Sequence, residues 1–190
     1  MAELSNDILI TCNDENRRGG VKAVYVANKT TISSFTKDVS NHEYTAVVMD
    51  STSDLWFEIE FDEQACSLVT EGSNENGSSL QSVTVEGVIP KTEKTKALAL
   101  NQLFNSCKVV AIVETYNQTS AGDNIAFVCG YDEVLGLDAA LSANVNMTIE
   151  QELQGLNGYT LTLSGVQADL PLEYTGTIEL NQGGTKDFEV

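Results

Sequence analysis

Apolar and polar positions alternate with a two-residue period over much of the chain, a pattern that predicts strands. Residues 21–28, Val-Lys-Ala-Val-Tyr-Val-Ala-Asn, alternate between the turn formers Gly19-Gly20 and a following turn. Residues 44–49 and 55–61 predict two more strands. In Leu55-Trp-Phe-Glu-Ile-Glu-Phe-Asp62, Phe57, Ile59 and Phe61 fall on one face and Glu58, Glu60 and Asp62 on the other, so three carboxylates would line one strand. Residues 65–70 and 80–89 predict a hairpin across a nine-residue polar loop at 71–79, which is long for a hairpin and is expected to be mobile in the isolated protein. A second hairpin is predicted from 109–116 and 124–131. A third pair, 142–153 and 158–165, is joined through Asn157-Gly158, a strong tight-turn dipeptide. A short strand at 176–181 and a Gly-Gly tail at 182–190 complete the pattern.

Helical periodicity stands out once. Over 95–107, Leu100, Leu103, Phe104 and Cys107 share one stripe, with Thr92 or Thr95 placed to cap the start. The fold class that follows is mainly β: an antiparallel sandwich or barrel of about eight to ten strands with one packed helix, in a single domain over 1–190.

Charge narrows the functions open to such a domain. The net charge is −18, yet 42% of residues are hydrophobic, enough for a core and too many for a disordered acidic chain. Between Lys108 and Lys186 there is no lysine, arginine or histidine, while ten Asp and Glu occur. Such a surface repels phosphate and argues against DNA, RNA or an anionic membrane as a directly gripped ligand. Met1-Ala-Glu-Leu-Ser-Asn6 lacks a basic, then apolar, secretory pattern, and no apolar run is long enough to span a bilayer. Cys12, Cys66, Cys107 and Cys129 are scattered among apolar or small residues, the pattern of reduced thiols.

A search for chemistry returns little. The single histidine, His42, sits in a predicted turn without a nucleophile motif. No zinc ligand pairs and no Asp-x-Asp-x-Asp-Gly loop occur, although Asp132, Glu133 and Asp138 could gather around a cation. Glu58, Glu60 and Glu114 could supply carboxylates for glycoside hydrolysis, but one tryptophan, Trp56, gives little sugar-stacking surface and fits packing better. No enzyme and no cofactor is predicted. Basic residues cluster at Arg17, Arg18 and Lys22, and at Lys91, Lys94 and Lys96. On so acidic a molecule these are natural contacts for another copy's acidic surface.

With the elements in this order, the chain resembles a bacteriophage tail tube protein. Leu156-Asn-Gly-Tyr-Thr-Leu-Thr-Leu-Ser-Gly165 followed by Leu170-Pro-Leu-Glu-Tyr174 looks like the closing strands of such subunits. Asn16-Arg-Arg-Gly-Gly-Val-Lys-Ala-Val-Tyr-Val-Ala-Asn28 is similar to openings of phage virion structural proteins. The resemblance implies a subunit, made in the bacterial host cytoplasm, that self-assembles into usually hexameric rings stacked as the tail tube of a virion. Genome DNA would pass through an anionic lumen without specific binding, and other tail or connector proteins would be partners. The lumen candidates are Glu58, Glu60, Asp62, Glu150 and Glu152. The candidate inter-subunit contacts are the two basic clusters with Glu71, Asn74, Glu75 and Asn76 of the 71–79 loop. The alternatives are a connector, terminator or head decoration protein, and a soluble β-sandwich module binding carbohydrate or a calcium-dependent ligand.

Overall fold

The computed structural model describes residues 19–188, apart from 63, 76–77, 107, 120–121, 152–154 and 156. The fold is mainly β with one α-helix, as the periodicity predicts. Twelve strands are described, more than expected, because three are only three residues long. β1 (Val21–Asn28), β4 (Phe57–Ile59), β7 (Val109–Gln118) and β8 (Asn124–Cys129) form one antiparallel sheet in the order β4-β1-β7-β8. β5 (Cys66–Glu75), β6 (Ser78–Pro90), β9 (Ser142–Ile149) and β10 (Asn157–Gln167) form a second, in the order β5-β6-β10-β9. Two separate hairpins, β2 (Ile32–Asp38) with β3 (Glu43–Met49) and β11 (Thr177–Glu179) with β12 (Thr185–Asp187), complete the set.

The two large sheets face each other over a core that includes Val24, Val26, Ala111 and Val113 from the first and Val83, Val85, Leu161 and Leu163 from the second. The first sheet is also covered on its other face. There Tyr25, Ile112 and Val128 pack beneath Phe35, Tyr44, Trp56, Tyr174, Ile178 and Phe188. The sandwich therefore has a third layer. Burial on both faces explains why β1 is almost wholly buried despite its alternation, and why β7 opens with the unbroken run Val-Val-Ala-Ile-Val.

The third layer is held by a belt, residues 172–188, stitched to three other parts of the chain by backbone hydrogen bonds. Val128 N donates to Leu172 O and Tyr174 N to Ala126 O, both at 2.9 Å, along the free side of β8. Tyr44 N donates to Glu173 O at 2.8 Å, and Trp56 N to Glu179 O at 2.9 Å. Within the expected tail at 182–190, residues 182–187 instead complete a hairpin with β11. Gly183 and Gly184, at φ +92° and +90°, make its turn, and Phe188 is buried beside Tyr25 and Tyr174. Gly176 is where the belt presses closest, since a Cβ there would lie 2.2 Å from Thr45 O. Gly176→Ala is expected to destabilise the protein by about 2 kcal/mol in urea titration, because a backbone carbonyl must move.

Other expectations shift for physical reasons. The loop at 71–79 is mostly strand: β5 and β6 stay paired out to Glu75↔Ser78, beyond the last β10 pair at Gln167↔Gln81, and form a projecting two-stranded tongue. Polar sequence can pair as strand where neither face needs burial. Asn157-Gly158 is not a turn but the start of β10, where a Cβ on residue 158 would sit 2.4 Å from Ile89 O. The strand predicted at 55–61 shrinks to Phe57–Ile59. β2 escapes the pattern because a register shift between Ile32 and Ser34 puts its buried residues, Ile32 and Phe35, at odd spacing.

The helix α1 spans Lys94–Asn105 with Glu93, not Thr92 or Thr95, at the cap position. It packs through Leu100, with Ala97 and Leu103, on the inter-sheet core. Phe104 lies at the rim of the stripe and is half exposed, and Cys107 lies outside the described residues.

Candidate functional site: an uncharged-to-acidic sheet with two open edges

The β5-β6-β10-β9 sheet keeps one face in the core and turns the other to solvent. Val83, Val85, Leu161 and Leu163 point inward, so Ser82, Thr84, Glu86, Thr160, Thr162 and Ser164 point outward. Thr162 Oγ1 donates to Glu86 Oε2 across the strands at 3.3 Å. Asn144 and Asn146 extend this surface at one side, Ser67, Val69 and Glu71 at the other. None of the four strands contains a lysine, arginine or histidine. The outer face is therefore rich in hydroxyls and amides, with the exposed Val69 and Val166 among them, and acids are its sole charges.

Both rims of this sheet lack a partner strand, although α1 lies alongside β9 and Leu141, just before it, pairs with Val109. β5 and β9 are its edge strands, and among the described residues no backbone group pairs with their outer sides. β9, Ser-Ala-Asn-Val-Asn-Met-Thr-Ile, carries neither a charge nor a proline, the usual devices that keep an edge from pairing. Met147 and Ile149 are each 63% exposed on it.

A second polar centre lies on the far side of the first sheet. Glu114 ends the apolar run of β7 and is 1% exposed. Its Oε1 accepts hydrogen bonds from Lys22 Nζ at 2.9 Å, Asn124 Nδ2 at 2.9 Å and Lys186 Nζ at 3.0 Å. Tyr25 Oη lies 3.2 Å from both Glu114 Oε2 and Glu58 Oε1, and Gln182 Nε2 donates to Glu58 Oε2. Burial would raise the Glu114 pKa, but the donors from Lys22, Asn124 and Lys186 outweigh it and hold the carboxyl below its ordinary value. The Tyr25 hydroxyl is pushed well up, first by burial and then by Glu114 and Glu58. A cleft of about 450 Å³ opens beside the cluster, lined by Lys22, Glu58, Glu60 and Lys186 among others. With every Glu114 oxygen already engaged, the cluster braces β12 against β1 and β7.

The structure places the sequence-predicted residues as follows. Glu58, Glu60 and Asp62 do not form a row on one strand. Glu58 points into the Tyr25–Glu114 cluster, Glu60 is exposed beyond the end of β4, and Asp62 lies in a turn whose amide donates to Val88 O at 2.9 Å. Glu150 is exposed just past β9, and Glu152 lies outside the described residues. Lys22 is held by Glu114 within the chain and so is not a free contact residue. Lys91 pairs with Glu93 at 3.2 Å and Lys96 Nζ donates to Pro90 O at 2.7 Å, while Lys94 is exposed on the first turn of α1. Glu71 is exposed at the base of the tongue and Asn74 on it, and Glu75 pairs there through its backbone. Arg17, Arg18 and Asn76 fall outside the described residues.

The remaining candidates separate. His42 occupies its turn, exposed, at φ 56°. Asp132, Glu133 and Asp138 do not converge: Asp132 accepts the amides of Val134, Leu135 and Ala168, Glu133 pairs with Lys37 at 2.7 Å, and Asp138 pairs with Lys29 at 2.7 Å. No group of His, Cys, Asp and Glu able to hold a metal occurs among the described residues. Trp56 is fully buried. Glu114 was discoverable from its place at the end of an apolar run, where a carboxylate must find partners. Nothing in the sequence names those partners, which lie 92 and 72 residues away.

The class defined by this geometry is a three-layered β-sandwich with one solvated, base-free sheet face. No family model matches the chain, and neither a curated protein nor a solved structure matches it significantly. Among the described residues, no helix is long and apolar enough to cross a membrane.

Proposed function

We propose that the protein is a structural subunit whose copies join side by side through β5 and β9 into a ring, with the hydroxyl-, amide- and acid-bearing sheet face lining the lumen. The observation that carries this reading is one sheet with two edge strands that lack partner strands and a solvated face without positive charge. Edge-to-edge pairing would give the exposed amides and carbonyls of β5 and β9 partners and extend the sheet from copy to copy. Lumen acids on this reading are Glu71 and Glu86 rather than Glu58, which is engaged elsewhere. A duplex would meet weak, even repulsion from such a wall and no cation to hold a phosphate, which suits passage without binding.

This agrees with the tail tube role implied by the resemblance: usually hexameric rings stacked within a virion, DNA passing through, and connector or other tail proteins at the ends. Near the base of the tongue the sheet offers acidic Glu71. From Ser82, opposite Glu71, β6 carries the chain to Lys91 and α1 at the other end, about 30 Å away. Stacked rings would bring acid against Lys91, Lys94 and Lys96.

Negative-stain microscopy and sedimentation test the reading. Rings or tubes should form as concentration rises. Asn144→Lys with Asn146→Lys should raise the concentration needed at least tenfold while leaving far-UV circular dichroism unchanged. A wild-type protein that stays monomeric at high concentration across salt conditions overturns it.

A further inference from the structure

The Glu114 cluster brings together groups that bracing alone does not require. One oxygen, Glu114 Oε1, accepts a hydrogen bond from an amine on β12, Lys186 Nζ at 3.0 Å. The same oxygen accepts another from a carboxamide on β8, Asn124 Nδ2 at 2.9 Å. The two nitrogens therefore lie at most about 6 Å apart. Their shared carboxylate is 1% exposed. Around it stand Lys22 and Tyr25 of β1 and, through the Tyr25 hydroxyl, Glu58 of β4. An amine, a carboxamide and a buried carboxylate in mutual reach are the groups that side-chain amide formation needs. They supply a nucleophile, an acyl carbon and a base that touches both the nitrogen that attacks and the nitrogen that leaves.

We propose that Lys186 and Asn124 join in an intramolecular isopeptide bond, with Glu114 as the proton carrier. Glu114 takes a proton from the Lys186 ammonium, and the free amine adds to Asn124 Cγ. The Cγ–Nδ2 bond then breaks while the new Nζ–Cγ bond is kept. The leaving nitrogen collects the proton held by Glu114 and one more from Nζ, departing as ammonium. Glu114 ends as the carboxylate it began as, and no co-reactant is consumed. Lys186 is favoured over Lys22 because an attacking amine sheds its proton more easily away from water, and its side chain is 28% exposed against 41%. Lys22 remains as the cation that balances Glu114. The donors around Glu114 keep it ionised and so in the base form, but a weak base makes the first transfer uphill. The bond therefore forms slowly, and faster in alkali. It would fasten the belt covalently to the first sheet and close a loop of about 60 residues. The inference is independent of the ring reading, because the cluster and the base-free sheet face lie on different sheets.

Mass spectrometry of the denatured full chain tests it. After days at about pH 9, where more of the amine is free, the wild type should hold a major species lighter by one ammonia. Lys186→Arg keeps the charge and removes the nucleophile, so it should show at least tenfold less of that species with unchanged far-UV circular dichroism. Lys22→Arg should leave the yield as in the wild type. Proteolytic mapping should recover a branched peptide that joins Asn124 to Lys186. A wild type that loses no ammonia overturns the proposal. So does a loss that maps to a succinimide at Asn76-Gly77 or Asn157-Gly158, the two Asn-Gly pairs of the chain, or to a branch at Lys22.

Discussion

Trp56→Ala lowers the unfolding free energy by about 4 kcal/mol, a large part of the 5–15 kcal/mol typical of a domain. The ring is 1% exposed and shares its cluster with Ile178, Tyr44 and Tyr174, so truncation leaves a void between the belt and the first sheet. The melting temperature should fall by about 10 °C. Circular dichroism in guanidinium is the suitable measurement, since the protein's one tryptophan is the residue removed. Trp56→Phe should cost much less, about 1–2 kcal/mol. It keeps an aromatic ring and removes an indole N–H that has no partner among the described residues. Equal losses from both variants would show that the contact area of the ring is not what holds the belt down.

Glu114→Ala has the second largest effect expected, about 3 kcal/mol at pH 7, toward the low end for breaking a buried ion pair. The lower figure follows from the lysines, whose side chains are 41% and 28% exposed and can turn to water once the carboxylate is gone. Tyr25 and Asn124 lose an acceptor as well. The pH dependence has a definite sign. The folded carboxyl has a lowered pKa, so its contribution is complete above the unfolded value of about 4.3 and is lost as pH falls through the folded value. The gap between wild type and variant should therefore be widest near neutrality and close below about pH 4. A gap that stays constant from pH 7 to pH 3 would mean that the ion pairs contribute nothing.

The sequence exposes some elements more clearly than others, and the reasons are physical. β1, β7, β8 and α1 could be read within a residue or three of their bounds, because burial imposes a period that the side chains must obey. The tongue could not, since strand pairing there rests on backbone hydrogen bonds and polar side chains leave no hydrophobic trace. The third layer was hidden for another reason. Its pieces show too few buried residues for a period: β2 has two, β11 one and β12 none. The acids at Glu58, Glu60 and Asp62 alternate correctly by count. Alternation cannot say whether the far side of a strand meets water or another layer, and here Trp56 and Glu58 meet another layer. The base-free sheet face was legible in outline as the lysine-free stretch after Lys108, but half of it, β5 and β6, comes from before that residue.

The belt also sets an order of events during synthesis. Residues 172–188 leave the ribosome after everything they cover, so the inter-sheet core can close while the second core still lacks its lid. Until then Trp56, Tyr44 and the free side of β8 face solvent, and a nascent chain is sticky on that face. Arrival of Phe188 and Lys186 seals it. A chain cut short before residue 172 would keep its first core, its tongue and its open sheet edges, and could enter a growing assembly with an unsealed face. The fold thus makes the emergence of residues 172–188 the step that removes this adhesive surface.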